Sequence, residues 1–337
     1  MRFLIIALAV VVATGSCTNS KHTPDVSAIK VNLATQRFEQ DFFNLDTAAF
    51  APALQKLMEK YPGFGENFIS TILNTDPKWS ADTAMNYIKS FVAAYRHVYD
   101  SSQKVFADFT PYEKQVRKSL QYLKHYFPAY AAPQKIITYI GPMDGYGDIL
   151  DVDAFIVGLH HHLGSNYSMY KSALVRETYP DYITQRFEPN YIAVNCMKNV
   201  VLDMYPEKKE DQRLVVQMVE KGKRLYLLQK LVPFAKDHQL IGYTEKQLTE
   251  SLQREAAIWD LFVQNNLLQS IDNNVIKNYI GESPKTTELG EAAPGNIGSF
   301  CGWQIVQKFM DKFPETTLQQ MMNTPAEILF TQAKYKP

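Results

Sequence analysis

Three consecutive histidines, His160, His161 and His162, are the side chains of this sequence best suited to bind a metal ion. Asp151 and Asp153 lie a few positions before them and could add a carboxylate ligand. On a helix the three imidazoles would fan through about 200°, and on a strand only His160 and His162 would share a face. His160, His162 and Asp153 are therefore weak metal-ligand candidates. The interpretation that we favour is a histidine cluster at the surface or along a loop, without a metal ion or other cofactor.

Other patterns that could support catalysis are sparse, and we predict no catalytic residue. The sequence contains neither a Gly-x-Ser-x-Gly motif nor a phosphate-binding glycine loop. Gly295, Gly298 and Gly302 open a predicted helix whose free amides could hold an anion, but we expect them to permit a tight turn and close helix packing. One basic cluster is expected to form a solvated helix face: Lys221, Lys223 and Arg224.

The N-terminus has the features of a lipoprotein leader. A single positive charge, Arg2, precedes an apolar run through Ala13 that is short for a membrane span and typical of a secretory leader. Small residues then lead to Cys17, as in a bacterial lipobox, although Thr14 departs from the more usual residue. We predict a lipoprotein signal peptide over residues 1–16, lipidation of Cys17 and a tether over residues 17–30. The alternatives are a plain signal peptide with an incidental cysteine and an uncleaved anchor.

The composition restricts the class of protein. The chain has 337 residues, 46% of them hydrophobic, and its 35 Lys and Arg balance 35 Asp and Glu. This balance argues against a nucleic-acid-binding protein and against electrostatic attachment to a membrane. Cys196 and Cys301 could pair in an oxidising compartment, but we favour two separate buried thiols.

Most of the secondary-structure elements that the sequence predicts are helices. Apolar residues at helical spacing predict helices that begin near Phe50, Tyr87, Thr110, Leu214, Thr244, Ile297 and Thr324. Three of these starts have the sequence of a capping box: Thr110, Thr244 and Thr324. Residues 135–140 are the clearest strand, residues 31–43 could begin as one, and residues 149–163 read as a strand and a helix or as one helix. We predict one mainly α domain with a small β-sheet (α+β), spanning residues 31–337.

Several segments, taken together and in order, resemble a known family. The most specific is Pro294-Gly295-Asn296-Ile297-Gly298-Ser299-Phe300-Cys301-Gly302-Trp303-Gln304-Ile305-Val306. The others are residues 37–43, 126–128, 136–140, 155–164, 222–226, 241–244, 258–259 and 333–337. This set is similar to the gliding motility lipoprotein GldB family of Bacteroidetes, and it covers nearly the whole chain after the leader.

The resemblance implies a cell-envelope lipoprotein that supports gliding motility, and its associated protein secretion, by contacts with envelope protein partners rather than by catalysis. The family tends to have an aspartate and an aromatic residue after Gly158-Leu159, where this chain has the histidine cluster. The residues after Cys17 lack an acidic run resembling a surface-export signal, so we expect the body to face the periplasm. Asp46-Thr47-Ala48 and Asp82-Thr83-Ala84 resemble an O-glycosylation motif, with helix capping as the alternative.

The chain also resembles, more distantly, a zinc-peptidase-like family that has a His-Glu-x-x-His helix at the corresponding position. No histidine of this sequence is followed by glutamate, so that metal motif is absent. The resemblance implies a degenerate zincin-like core as one option for the fold. It also gives the alternative function, a zincin-derived hydrolase or pseudo-enzyme with an altered site near His160.

Overall fold

The computed structural model describes residues 23–207, 212–290 and 293–337. The predicted signal peptide and Cys17 therefore lie outside the described residues. Within these three ranges, no helix combines the length and the apolar character that crossing a membrane would require.

A four-stranded sheet lies in the N-terminal half of the domain. Its strands are β1 (Ala34–Arg37), β2 (Lys135–Tyr139), β3 (Ile149–Leu150) and β4 (Ala154–Gly158), in the order β1-β2-β4-β3. β1, β2 and β4 run parallel, and β3 pairs antiparallel with β4. β2 and β4 are runs of mainly apolar residues because helices and loops cover both faces of a parallel sheet. The strand predicted at residues 135–140 is confirmed.

Helices make up most of the rest of the described chain. Those before the sheet closes are α1 (Phe38–Phe43), α2 (Phe50–Lys60), α3 (Phe64–Asn67), α4 (Ala81–Val105) and α5 (Thr110–Tyr126). Those after it are α6 (Ala173–Thr178), α7 (Asp181–Thr184), α8 (Ile192–Met204), α9 (Leu214–Leu231), α10 (Asp237–Ile241), α11 (Glu245–Gln253), α12 (Glu255–Gln264), α13 (Asn273–Ile280), α14 (Ile297–Lys312), α15 (Leu318–Asn323) and α16 (Ala326–Ala333). A π-helical turn, Phe68–Ile72, continues α3. The predicted mainly α class with a small sheet is confirmed.

One of the three predicted capping boxes forms, and the other two do not. At α11, Thr244 Oγ1 accepts from the Gln247 N–H at 3.1 Å while Gln247 Oε1 accepts from the Thr244 N–H at 2.9 Å, which confirms that box. The box predicted at Thr110 is wrong, because the Glu113 carboxylate instead accepts from Thr35 Oγ1 and pairs with Arg117.

The box predicted at Thr324 is also wrong. α16 begins after Pro325, and no side chain caps it. One helix earlier, Thr317 and Gln320 form the reciprocal pair of hydrogen bonds at the start of α15. The pattern thus marks a helix start only where the side chains have no better partner.

α9 and α14 cross in the centre of the C-terminal half. They approach most closely at Gly222 and Gly302, where a Cβ atom on either glycine would overlap the backbone of the opposite helix. A Cβ atom on Gly298 would lie 3.0 Å from the Tyr279 carbonyl oxygen of α13. The expectation that Gly298 and Gly302 permit close helix packing is confirmed. Beside them, Phe300 and Trp303 are completely buried or nearly so.

Candidate functional site

The three histidines lie at the carboxyl ends of β2 and β4, where the loops that follow the two parallel strands meet. They follow β4 on a short 3₁₀ turn, Leu159–His161. Their exposed fractions are 0%, 5% and 1% for His160, His161 and His162. The expectation of a surface position is wrong, because the turn directs the chain back into the core, whereas His160 and His161 do line the loop that follows β2.

His160 joins the ends of the two strands as a neutral imidazole. Its Nδ1 accepts from the Gly141 N–H at 3.2 Å, and its Nε2 donates to the Tyr146 carbonyl oxygen at 3.0 Å. These partners assign the Nε2–H tautomer. Burial, followed by the neighbouring His161, lowers the pKa of His160 well below its ordinary value, so the ring stays uncharged.

His162 forms a buried ion pair with Asp148. Its Nδ1 donates to the Glu188 carbonyl oxygen at 3.0 Å, and its Nε2 donates to Asp148 Oδ2 at 2.9 Å. Because both nitrogens donate, the ring is an imidazolium. Burial opposes this charge, but the Asp148 carboxylate outweighs burial and raises the pKa of His162.

Asp148 is held from several sides. Its Oδ2 accepts from Asn195 Nδ2 at 2.8 Å, its Oδ1 accepts from the Gly158 N–H at 3.1 Å, and its backbone carbonyl accepts from Asn199 Nδ2 at 3.1 Å. Burial alone would raise the pKa of this carboxyl, but His162 and these hydrogen bonds lower it. The pair therefore joins the glycine-rich loop, β4 and α8. Sequence reasoning missed Asp148, because a single acid in a glycine-rich loop carries no local signal.

Asp153 does not meet the histidines. It precedes β4 whereas the histidines follow it, which places them roughly 16 Å apart along a five-residue strand. Its carboxylate pairs instead with Lys135 Nζ at 2.7 Å, and its side chain is 61% exposed. The weak metal candidates His160, His162 and Asp153 are thus not brought together. In the described part of the chain, no three His, Cys, Asp or Glu side chains are arranged to hold a metal ion.

This arrangement predicts a purified protein without stoichiometric zinc. His160 uses its lone pair to accept from Gly141, and His162 carries a proton on both nitrogens, so neither offers a free nitrogen to a metal. Inductively coupled plasma mass spectrometry after dialysis against metal-free buffer measures the zinc content. One zinc ion per folded chain would contradict this reading and favour the peptidase-like alternative.

Cys196 and Cys301 are free, buried thiols. Burial raises the pKa of both thiols, so neither forms a reactive thiolate near neutral pH. Both therefore act as small packing residues on α8 and α14.

The basic cluster on α9 is not the solvated face that we expected. Lys223 is 1% exposed, and its Nζ donates to the Thr324 carbonyl oxygen at 2.5 Å and to Glu220 at 2.7 Å. Arg224 is 9% exposed and donates to the carbonyl oxygens of Tyr205, Pro206 and Glu220, each at 2.8 Å. The prediction fails for these two residues because the chain packs on every side of α9, so the cations tie neighbouring segments to it.

A cavity of about 240 Å³ opens between α8, α9, α10, α13 and the start of α14. Three segments that carry the family resemblance contribute to its wall: Arg224 and Leu225 from residues 222–226, Ile241 from residues 241–244, and Asn296 with Ser299 from residues 294–306. Its apolar lining includes Val201, Leu202, Leu225, Leu228, Ile241 and Ile280. Sequence reasoning found these segments but could not show that they enclose one space.

Lys198 is the unusual charge of this cavity. Its side chain is exposed to solvent along the cavity wall, and loss of part of its hydration lowers its pKa. The positive charge of Arg186 lowers that pKa further, while Glu282 opposes the shift. Among the described residues, no carboxylate forms an ion pair with the Lys198 ammonium group.

Two carboxylates that line the cavity are already paired. Glu207 accepts from Lys221 Nζ at 2.5 Å, and Glu282 binds Arg186 with a shortest distance of 3.0 Å. The charged residues that line the cavity are therefore the cations Lys198, Lys221 and Arg224 and the two paired carboxylates Glu207 and Glu282. This arrangement can attract an anion but offers no nucleophile with an adjacent base.

The comparisons with known proteins point to one family. The family model described as "Gliding motility protein GldB" matches residues 19–337 of the chain. No curated protein and no solved structure shows significant similarity to the chain.

Proposed function

Because the chain belongs to the gliding motility protein GldB family, we propose that it is a cell-envelope lipoprotein that supports gliding through contacts with protein partners. Family membership implies a role in gliding motility, and the family model carries the lipoprotein designation. The match over residues 19–337, nearly the whole chain, is the single observation that carries the proposal. We extend the proposal to the protein secretion that accompanies gliding and to a body that faces the periplasm.

A role without catalysis is supported by the histidine cluster. His160 and His162 spend both ring nitrogens on hydrogen bonds within the protein, and Asp148 is enclosed by three donor groups. These side chains tie the loops at the carboxyl ends of β2 and β4 together. Their arrangement fits a rigid scaffold that presents a surface to partners.

The direct test is deletion of the gene in the strain that carries it. Loss of gliding, restored by the wild-type gene on a plasmid, is the expected result. Secreted proteins in the culture medium, measured by mass spectrometry, test the extension to secretion. Unchanged motility, secretion and growth in the deletion strain would reject the proposal.

The anchor gives a second prediction, the substitution Cys17→Ala. Without the thiol no lipid can be attached, so we expect loss of fatty-acid label from the protein and loss of gliding in the complemented deletion strain. Incorporation of an alkyne fatty acid, detected on the immunoprecipitated protein, measures lipidation, and colony spreading measures gliding.

Ser20→Ala, in the predicted tether, is the control and should keep both the label and the motility. Full motility with a soluble, unlabelled Cys17→Ala protein would show that the anchor is dispensable. Retention of the label would show that Cys17 is not the site of lipidation.

A further inference from the structure

We propose that the groove between α5 and the N-terminal segment, residues 25–33, binds the head-group phosphate of an anionic phospholipid in the membrane that holds the lipid anchor. This inference rests on the lipid anchor of the proposed function. It adds a contact that orients the body of the protein on the membrane.

The N-terminal segment is held against α5 by side chains of that helix. Arg117 Nη1 donates to the Val31 carbonyl oxygen at 2.7 Å, and Gln121 Nε2 donates to the Ile29 carbonyl oxygen at 2.8 Å. Closer to the anchor, Val26 is completely buried in the core. The chain that leads to Cys17 therefore leaves the body on the α5 side.

The chain between Cys17 and the body is short compared with the domain. Thr23 is the first described residue, and the six residue steps from Cys17 to Thr23 span at most about 20 Å when fully extended. A domain of about 300 residues measures roughly 50 Å across. The opposite side of the domain therefore cannot touch the membrane, and the head groups nearest the protein lie on the α5 side.

The groove on this side is positively charged. Its volume is about 350 Å³, and its wall consists of residues 30–32, 120, 123–124, 128 and 130–134. Lys30 and Lys124 are the charged residues of the wall, and both are exposed to solvent. Asn32 and Gln134 add neutral amide donors, and no carboxylate belongs to the wall within the described part of the chain. The groove therefore offers donors and two positive charges to an anion.

Neighbouring groups leave these two charges uncompensated. Lys124 Nζ donates to the Lys30 carbonyl oxygen at 3.4 Å, and among the described residues neither lysine forms an ion pair. Asp203, which does not line the groove, accepts from the Tyr130 hydroxyl at 2.7 Å. A phosphate diester can bind both ammonium groups through charge-assisted hydrogen bonds. Because the lipid already supplies attachment, two cations suffice to orient the body despite the balanced composition of the chain.

Acetylation of the purified lipoprotein in nanodiscs tests the proposal. Discs of phosphatidylglycerol and phosphatidylcholine in equal parts are compared with discs of phosphatidylcholine alone, and mass spectrometry measures the acetylation rate of each lysine. We expect Lys30 and Lys124 to react about 5- to 10-fold more slowly in the anionic discs, since each lysine at an anionic surface is favoured by roughly fivefold. Lys246 of α11, whose side chain is 81% exposed, should react equally in both.

Lys124→Gln removes one charge of the groove and leaves Lys30 as the reporter. We expect the slowing at Lys30 to fall to about twofold or less. Lys118→Gln is the matched control, because Lys118 lies on α5 outside the groove, with its ammonium group 5.4 Å from the centre of the Tyr122 ring. This control should keep the slowing at Lys30.

Thermal unfolding of each variant confirms that the fold is kept, and Lys30→Gln with Lys124 as the reporter is the second variant in case Lys124→Gln does not fold. Equal rates at Lys30 in the two kinds of disc, or slowing that survives in a folded Lys124→Gln protein, would overturn the assignment. Equal slowing by inorganic phosphate in phosphatidylcholine discs would assign the groove to free phosphate instead.

The intact mass of the wild-type protein separates this inference from the proposed function. A chain without lipid on Cys17 would reject the anchor and this inference with it. A lipidated chain whose Lys30 and Lys124 react equally in both kinds of disc would reject this inference alone.

Discussion

Replacing Asp148 by asparagine should lower the free energy of unfolding by about 3–5 kcal/mol, because it leaves the buried His162 imidazolium without its carboxylate. The two side chains are only 5% and 1% exposed, so water cannot take over the lost contact. Asparagine keeps the size of the side chain, but its NH₂ group cannot accept, so one acceptor position facing His162, Asn195 or Gly158 is lost together with the charge. Urea unfolding at about pH 6, where both groups of the pair are charged, measures the loss.

The same sheet offers a matched control. Asp153→Asn removes a carboxylate from the ion pair with Lys135, whose side chains are 61% and 44% exposed. An exposed pair contributes about 0–1 kcal/mol, so this variant should unfold almost like the wild type. If Asp148→Asn were as mild as Asp153→Asn, the buried ion pair would not be the stabilising contact that we describe.

The directions of the two pKa shifts determine how the stability difference between the wild type and Asp148→Asn depends on pH. The pKa of Asp148 is lowered, so its stabilising contribution is present above the ordinary value of 3.8 and is lost as the pH falls through the lower folded value. The pKa of His162 is raised, so its contribution is complete below 6.5 and is lost as the pH rises through the higher folded value. The advantage of the wild type over Asp148→Asn should therefore be greatest between these two ordinary values. An advantage that grows from neutral to alkaline pH would contradict the charge assignment.

A methyl group at the crossing of α9 and α14 should be at least as damaging. In Gly302→Ala the new Cβ atom would overlap the Met218 carbonyl oxygen, and no rotamer change can move a backbone atom away. The two helices would have to move apart where they cross in the centre of the C-terminal half. We expect the free energy of unfolding to fall by about 3 kcal/mol or more, which is at or beyond the upper end of the usual cost of overpacking, or the protein to fail to fold. The midpoint of urea unfolding and the yield of folded protein measure the effect.

Gly65→Ala tests whether any added methyl group has this effect. Its Cβ atom would lie 2.9 Å from Met58 Sδ, which belongs to a flexible side chain that can move. We expect a change of about 1 kcal/mol or less, since alanine also favours the helix. A Gly302→Ala protein as stable as Gly65→Ala would show that the glycines do not set the distance between α9 and α14.

Elements with a strong local period were predictable from sequence. The helices near Phe50 and Tyr87 correspond to α2 and α4, and residues 135–140 correspond to β2. In the two helices, apolar residues recur about every 3.6 positions, and the strand is a compact apolar run. Each of these patterns arises within one element. The mainly α class with a small sheet followed from adding these elements together.

Capping and solvent exposure were not predictable where a distant residue competes for the same side chain. Glu113 had the spacing of a capping box but found Thr35 and Arg117, and Thr324 lies before Pro325, where no cap forms. Lys223 and Arg224 looked like a solvated face because charged residues usually remain at the surface. Carbonyl oxygens from distant segments instead satisfy both cations in the interior.

The sequence by itself indicated the family, through short motifs in a fixed order, and the fold class, through local apolar periods; lipidation of Cys17 stays a prediction. The tertiary structure alone decided that His162 pairs with Asp148 rather than with Asp153. It also decided that Lys198, Leu225 and Asn296 line one cavity. Strand pairing and helix crossing set these contacts, and they join positions that are up to about a hundred residues apart. Local periodicity reports which face of an element is buried, but it contains no information on which distant side chain lies opposite.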